Sequence, residues 1–180
     1  VQRYIPERAG NFVALELGTG WFPIIPVGLA LAGASAIYTV DMHDLTDRGR
    51  TLETHIPADA IASMFTEFRR LLRPPGVMSH FIDMADHYAL FDRKITRYNF
   101  LRYSDPVWWL FNNSLHYQNR LRLPDFRALH EQCGFEVLEE ENRREPLERL
   151  RSVPLTSRFV GYAEDDLAVY DSWMISRPRG

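Results

Sequence analysis

The chain has 180 residues, 46% of them hydrophobic and 25% charged, which suits one packed domain and excludes a disordered segment. The net charge of −3 and pI of about 6.1 argue against nucleic acid as a partner, because phosphate binding leaves a basic footprint. Cys133 is the only cysteine, which excludes an intrachain disulfide or cysteine-based zinc site and points to a reducing, cytoplasmic setting.

No signal peptide is evident. The longest apolar run, residues 22–34, is too short to span a bilayer and holds Pro23 and Pro26, so no membrane span is expected. The sequence starts at Val1 rather than Met, so a preceding segment is expected.

Residues 12–17 are mostly apolar and run into Gly18-Thr19-Gly20, which reads as a buried strand ending in a glycine turn. Residues 23–34 read as an apolar helix with its prolines in the first turn. Residues 36–40 read as a second strand, closed by Asp41. Strand, glycine turn, helix, strand and acid make one parallel βαβ unit. The glycines let the backbone approach a ligand closely, and the following helix offers free N–H groups. The acid can accept hydrogen bonds from the hydroxyls of an adenosine ribose. A third glycine is absent, Phe22 standing where one is expected; that weakens a dinucleotide reading, in which a pyrophosphate needs the closest approach. A tight turn with no ligand is the plainer alternative.

Residues 58–72 carry apolar side chains at three- and four-residue steps, with Asp59 near the start and Arg69, Arg70 and Arg73 near the end, which predicts an amphipathic helix. Pro74-Pro75-Gly76 stops it. Residues 77–82 predict a strand that ends in Asp83. Residues 84–122 are rich in aromatics and read either as a lid over a substrate or as core filling. Residues 123–133 predict a helix stopped by Gly134. Residues 135–138 predict a strand, with residues 172–175 as its hairpin partner. The run from Glu139 to Glu145 reads as a solvated charged face. Asp165-Asp166 reads as a helix start, and Cys133 as a buried, inert thiol.

These pieces resemble, in order, the class I S-adenosylmethionine-dependent methyltransferases, of a bacterial small-molecule type. The resemblance lies in Leu15-Glu16-Leu17-Gly18-Thr19-Gly20, Thr39-Val40-Asp41, His55-Ile56-Pro57 followed by Arg73-Pro74-Pro75-Gly76, and Cys133-Gly134-Phe135. It departs at Pro75, where a glycine is usual. It implies a single domain over residues 1–180 of α/β, Rossmann-like architecture. Its sheet would be mostly parallel with a C-terminal antiparallel hairpin, helices would cover both faces, and residues 84–122 would form an inserted lid. It implies S-adenosylmethionine as cofactor, with Glu16 at the methionine amino group, the Gly18, Thr19 and Gly20 backbone against the cofactor, and Asp41 on the ribose.

That fold places two helices and two strands between the ribose acid and the His-Ile-Pro step, roughly 60 residues or more. Asp41 and His55 are 14 positions apart here. Without those elements the first strand lacks a neighbour, at about 1–3 kcal/mol per unsatisfied buried group. Residues of the fold are therefore expected to be missing from this sequence between Asp44 and Ile56.

Open α/β sheets bind ligands at the carboxyl ends of their strands. Asp83 and the residues just after it are thus expected at a cleft, with Asp83, Tyr88, Trp108 and Arg120 as substrate contacts. Transfer to a hydroxyl or amine needs a proton acceptor, for which His87 is the first candidate, with Asp86 orienting it or acting alone. The same Asp-His pair could simply close a loop. His80, Asp83, Asp86 and His87 could in principle hold a metal, but none is expected. The expected partner is a small organic acceptor; its identity, the methylated atom and the oligomeric state stay open. A nicotinamide-dependent oxidoreductase and a non-catalytic interaction module are the alternatives.

Overall fold

The strand Phe12–Leu17 (β1) lies parallel to Ala34–Val40 (β2), in a register that sets Glu16 beside Thr39 and Leu17 beside Val40. The computed structural model describes residues 12–17, 29–31, 33–40, 58–112 and 117–180. Among them the chain divides into two compact units, the first holding β1 and β2, the second running from Ile56 onward apart from residues 114–117. The architecture is mixed α/β, with a two-stranded parallel sheet and a separate three-stranded antiparallel sheet. The single continuous sheet expected from the sequence is not seen among the described residues.

The parallel pairing of β1 with β2 agrees with the sequence pattern, but β1 is less buried than expected. Phe12 is buried, whereas Val13 is 64% and Leu15 44% exposed. An apolar strand of this kind belongs between two neighbours with both faces covered. Only β2 pairs with β1 among the described residues, so alternate side chains stay open. The predicted helix at residues 23–34 lies mostly outside the described residues, as does the whole stretch from Asp44 to Ile56.

The second unit begins with the helix Ala58–Leu71 (α1). Ile61, Phe65 and Phe68 are its buried positions, spaced four and three apart on one face. Strand Met78–Asp83 (β3) follows. Later come the helix Asp105–Phe111 (α2), the helix Leu123–Gln132 (α3) and the strand Phe135–Arg144 (β4). Two short helices, Leu147–Arg151 (α4) and Glu164–Leu167 (α5), precede the last strand, Val169–Pro178 (β5). The sheet order is β3-β5-β4, antiparallel throughout, with Phe81 opposite Trp173 and Asp83 opposite Asp171.

The expected hairpin partners are therefore real, but both strands run longer than their apolar residues suggest. The charged run Glu139–Arg144 is not a free face; it extends β4 along the sheet edge. Its charges survive because they meet partners: Arg127 of α3 donates to both carboxylate oxygens of Glu140, at 2.9 and 2.6 Å, and reaches Asp166 at 3.0 Å. As expected, Asp165 and Asp166 lie in the first turn of a helix, where the dipole favours negative charge.

Two apolar clusters hold this unit. One face of the sheet packs on α1 and α3 through Phe65, which meets the rings of His80, His130 and Phe135 at 5.1, 4.6 and 6.3 Å. The other cluster joins Tyr98, Phe100, Leu101 and Trp108 to Leu150, Phe159 and Leu167. The aromatic stretch expected as a lid thus supplies core at these positions. Trp109, by contrast, is 76% exposed, because successive residues of a helix point in different directions.

Candidate functional site

β3 ends at Asp83, and the chain turns at once into a short 3-10 helix, His87–Leu90. Asp86 builds that turn. Its side chain accepts from the N–H of Tyr88 at 2.9 Å and from the Asn99 side chain at 3.3 Å. It is 1% exposed. Burial pushes its carboxyl above the ordinary range, against the hydrogen bonds it accepts and the nearby His87.

His87 is held from two sides. Its backbone N–H donates to Oε1 of buried Gln118 at 2.9 Å. Its ring Nε2 lies 3.1 Å from Oδ2 of Asp83. The carboxylate on the imidazole is therefore Asp83, one turn back, and not Asp86 as the sequence suggested. Asp86 faces inward because the turn's N–H groups need an acceptor. Burial pushes Asp83 up, but the His87 hydrogen bond, the Ala85 N–H and the charges of His87 and Arg97 together hold its carboxyl below the usual value.

Asp83, Ala85, Asp86 and His87 line a cavity of about 220 Å3 within the second unit. Its wall continues through Ala89, Leu90, Arg93, Ile95 and Arg97 to Glu145 and Arg149. Arg97 stacks over the Tyr170 ring at 4.2 Å and meets Glu145 Oε1 at 3.3 Å. Arg149 approaches the other oxygen of Glu145 at 3.9 Å. The site thus combines an imidazole–carboxylate pair able to take and hold a proton with a wall of guanidinium groups. No spacing in the sequence singles out the arginines and Glu145, because they come from a loop and a helix start more than 45 positions apart.

The other expected contacts are placed elsewhere. Tyr88 is 37% exposed and does not line the cavity. Trp108 is 6% exposed in the core, stacked on Tyr103 and donating to the carbonyl of Gln118 at 3.3 Å. Arg120 is 3% exposed; it donates to the Phe100 carbonyl at 3.0 Å and to the carbonyl of Tyr103, and pairs with Asp105. Both are buried and engaged in packing, although Arg120 Nε is buried without a hydrogen-bond partner. His80 lies among the rings of Phe65, Phe68 and His130, apart from the Asp83–His87 pair. Among the described residues no three metal-ligating side chains gather.

Glu16 lies in β1, paired with Thr39. Gly18, Thr19, Gly20 and Asp41 lie outside the described residues. No described helix is long and apolar enough to cross a membrane.

No protein-family model matches the chain, and no curated protein matches it. It is similar to a solved structure of a putative methyltransferase from Bacillus halodurans C-125, at 17% identity and a TM-score of 0.49, covering 99% of this chain and 98% of that one. The chemistry of the site therefore rests on its own residues.

Proposed function

We propose that this chain is an S-adenosylmethionine-dependent methyltransferase acting on a small organic acceptor, with His87 taking the acceptor's proton. One observation carries the cofactor half. In the parallel pair, Leu17 stands beside Val40, so both strands end together, about 4.8 Å apart. The next residues in sequence are Gly18 and Asp41. A glycine segment and a carboxylate that follow neighbouring parallel strands in sequence suit an adenosyl group, the first by close backbone approach and the second by gripping the ribose. S-adenosylmethionine supplies a methyl group already activated on a sulfonium. The protein's own task is alignment, exclusion of water and acceptance of one proton.

The acceptor half rests on the Asp83–His87 pair. A neutral imidazole on the cavity wall can take a proton from a hydroxyl or amine. Asp83 at 3.1 Å favours the imidazolium that results. The small cavity favours a small acceptor, since pockets for drug-sized ligands run to roughly 300–1,000 Å3.

The test is calorimetric titration of the chain with S-adenosylhomocysteine and, in parallel, with NAD. Heat with S-adenosylhomocysteine, reduced about tenfold or more in affinity by Asp41→Ala, is expected from the loss of charge-assisted hydrogen bonds. Heat with NAD alone would replace methyl transfer by hydride transfer.

A further inference from the structure

Three guanidinium groups reach the cavity beside His87, from Arg93, Arg97 and Arg149. Three carboxylates line it too, so formal charge alone does not decide what binds. What decides is which groups are already engaged. Asp83 is committed to the His87 ring and the Ala85 N–H. Asp86 is buried and spent on the turn. Among the described residues, Glu145 is the only carboxylate that meets the cavity's arginines by ion pairs, Arg97 at 3.3 Å and Arg149 at 3.9 Å. Its Oε2 is buried and accepts no hydrogen bond.

The donors are in surplus. Each guanidinium carries five N–H groups in a planar fork. Arg97 meets Glu145 through Nε at 3.3 Å and Arg149 through Nε at 3.9 Å, and Arg93 is exposed and makes no ion pair among the described residues. Their side chains keep 41% exposure at Arg97 and 54% at Arg149, so they are open to a ligand.

We propose that the cavity takes an acceptor bearing an oxyanion group, a carboxylate or a phosphate, gripped by Arg93 and Arg149 while the reacting hydroxyl or amine faces His87. Fork-to-oxyanion pairing gives orientation as well as attraction. It would hold a small molecule that has little apolar surface of its own to bury. Glu145 keeps the forks apart and oriented when no acid is bound. The inference rests on the methyl-transfer reading only for the use made of the bound acid; binding itself is independent of it.

The test is calorimetry on the full chain with three probes of one shape: benzoate, phenyl phosphate and the neutral benzamide. At least one of the two anions should bind about tenfold tighter than benzamide, and which one does identifies the oxyanion. The double variant Arg93→Gln, Arg149→Gln should bring that anion down to the level of the amide. Glu145→Gln should tighten it, because a competing carboxylate is removed; a merely structural role for Glu145 would weaken it instead. Thermal melts of each variant report whether it is folded. Should either variant fail to fold, the comparison of anion with amide on the unaltered chain still decides. Equal binding of all three probes, or an anion affinity unmoved by the folded double variant, would overturn the proposal. Parallel titration with S-adenosylhomocysteine separates this from the parent reading: an acid bound without it leaves the cavity assignment standing and removes methyl transfer.

Discussion

His87 and Asp83 stand one turn apart across the end of β3, with Nε2 and Oδ2 separated by 3.1 Å. The pair is set by chain geometry as much as by attraction. Asp83 is the last residue of a strand, and Asp86 caps a 3-10 turn that swings His87 back over it. Under the methyl-transfer reading, His87→Gln should lower kcat about 10²–10⁴-fold, the range that general-base catalysis contributes. Asp83→Asn should cost less, because it leaves the base in place and removes only its partner. Affinity for S-adenosylhomocysteine should be unchanged in both. A kcat unmoved by His87→Gln, measured at saturating acceptor, would remove the imidazole from the reaction.

How far this site is legible in the sequence can be traced residue by residue. Asp83 and His87 stand out because a strand-end acid and a following histidine are local features. The choice between Asp83 and Asp86 is not legible. Both lie within reach of His87 along the chain, and only the 3-10 turn decides which carboxylate is consumed by backbone N–H groups. Arg120 and Trp108 read as substrate contacts in the sequence because their partners, Asp105 and Tyr103, are tertiary neighbours that no spacing rule picks out. The elements with clear periodicity, α1 and β3, agree with their sequence pattern within a residue or so. β4 does not, because its charged half is stabilised by Arg127 on another element rather than by apolar alternation.

The packing of His80 against His130 predicts acid sensitivity. His80 sits among Phe65, Phe68 and His130, and burial followed by the charge of His130 pushes its imidazole down to about 4. Its unfolded value is about 6.5. The folded value is therefore the lower one, so the unfolded chain binds the extra proton first. Stability should be full above pH 6.5 and fall as pH drops from 6.5 towards 4, by up to about 3 kcal/mol. Denaturant unfolding at pH 7.5 and pH 4.5 measures this, and His80→Phe should flatten the difference. An unchanged slope in a folded His80→Phe variant would assign the acid effect elsewhere.

Arg122 is fully buried and ties together three segments. Its guanidinium donates to the carbonyls of Met84, Leu167 and Val169, the second at 2.8 Å. Burial lowers its pKa to about 10, so it stays charged at neutral pH. Arg122→Met keeps some of the volume but strands three buried carbonyls, each worth about 1–3 kcal/mol when left unpaired. A loss of several kcal/mol in unfolding free energy is expected. Because Met84 follows Asp83, the variant should also loosen the turn that carries His87. Hydrogen exchange should show faster opening at residues 84–90 than in the aromatic core. Equal protection in both regions would confine Arg122 to global stability.

Gly134 joins α3 to β4 with φ of +76°, a left-handed conformation that side chains disfavour. Its open flank is filled by Arg69 of α1, whose Nη1 donates to the Gly134 carbonyl at 3.1 Å and whose Nη2 reaches the carbonyl of Arg179 at 3.4 Å. A Cβ built on Gly134 would fall 1.4 Å from that Nη1. Gly134→Ala therefore meets two costs: backbone strain of about 1–2 kcal/mol, and displacement of the arginine that staples α1 to the sheet. Arg69 is a flexible side chain and can swing away, so the first cost should dominate. Gly134→Asn should be milder than Gly134→Ala, because asparagine tolerates positive φ, although it displaces Arg69 at least as much. Were the asparagine variant the less stable of the two by denaturant unfolding, loss of the Arg69 staple would outweigh the backbone strain.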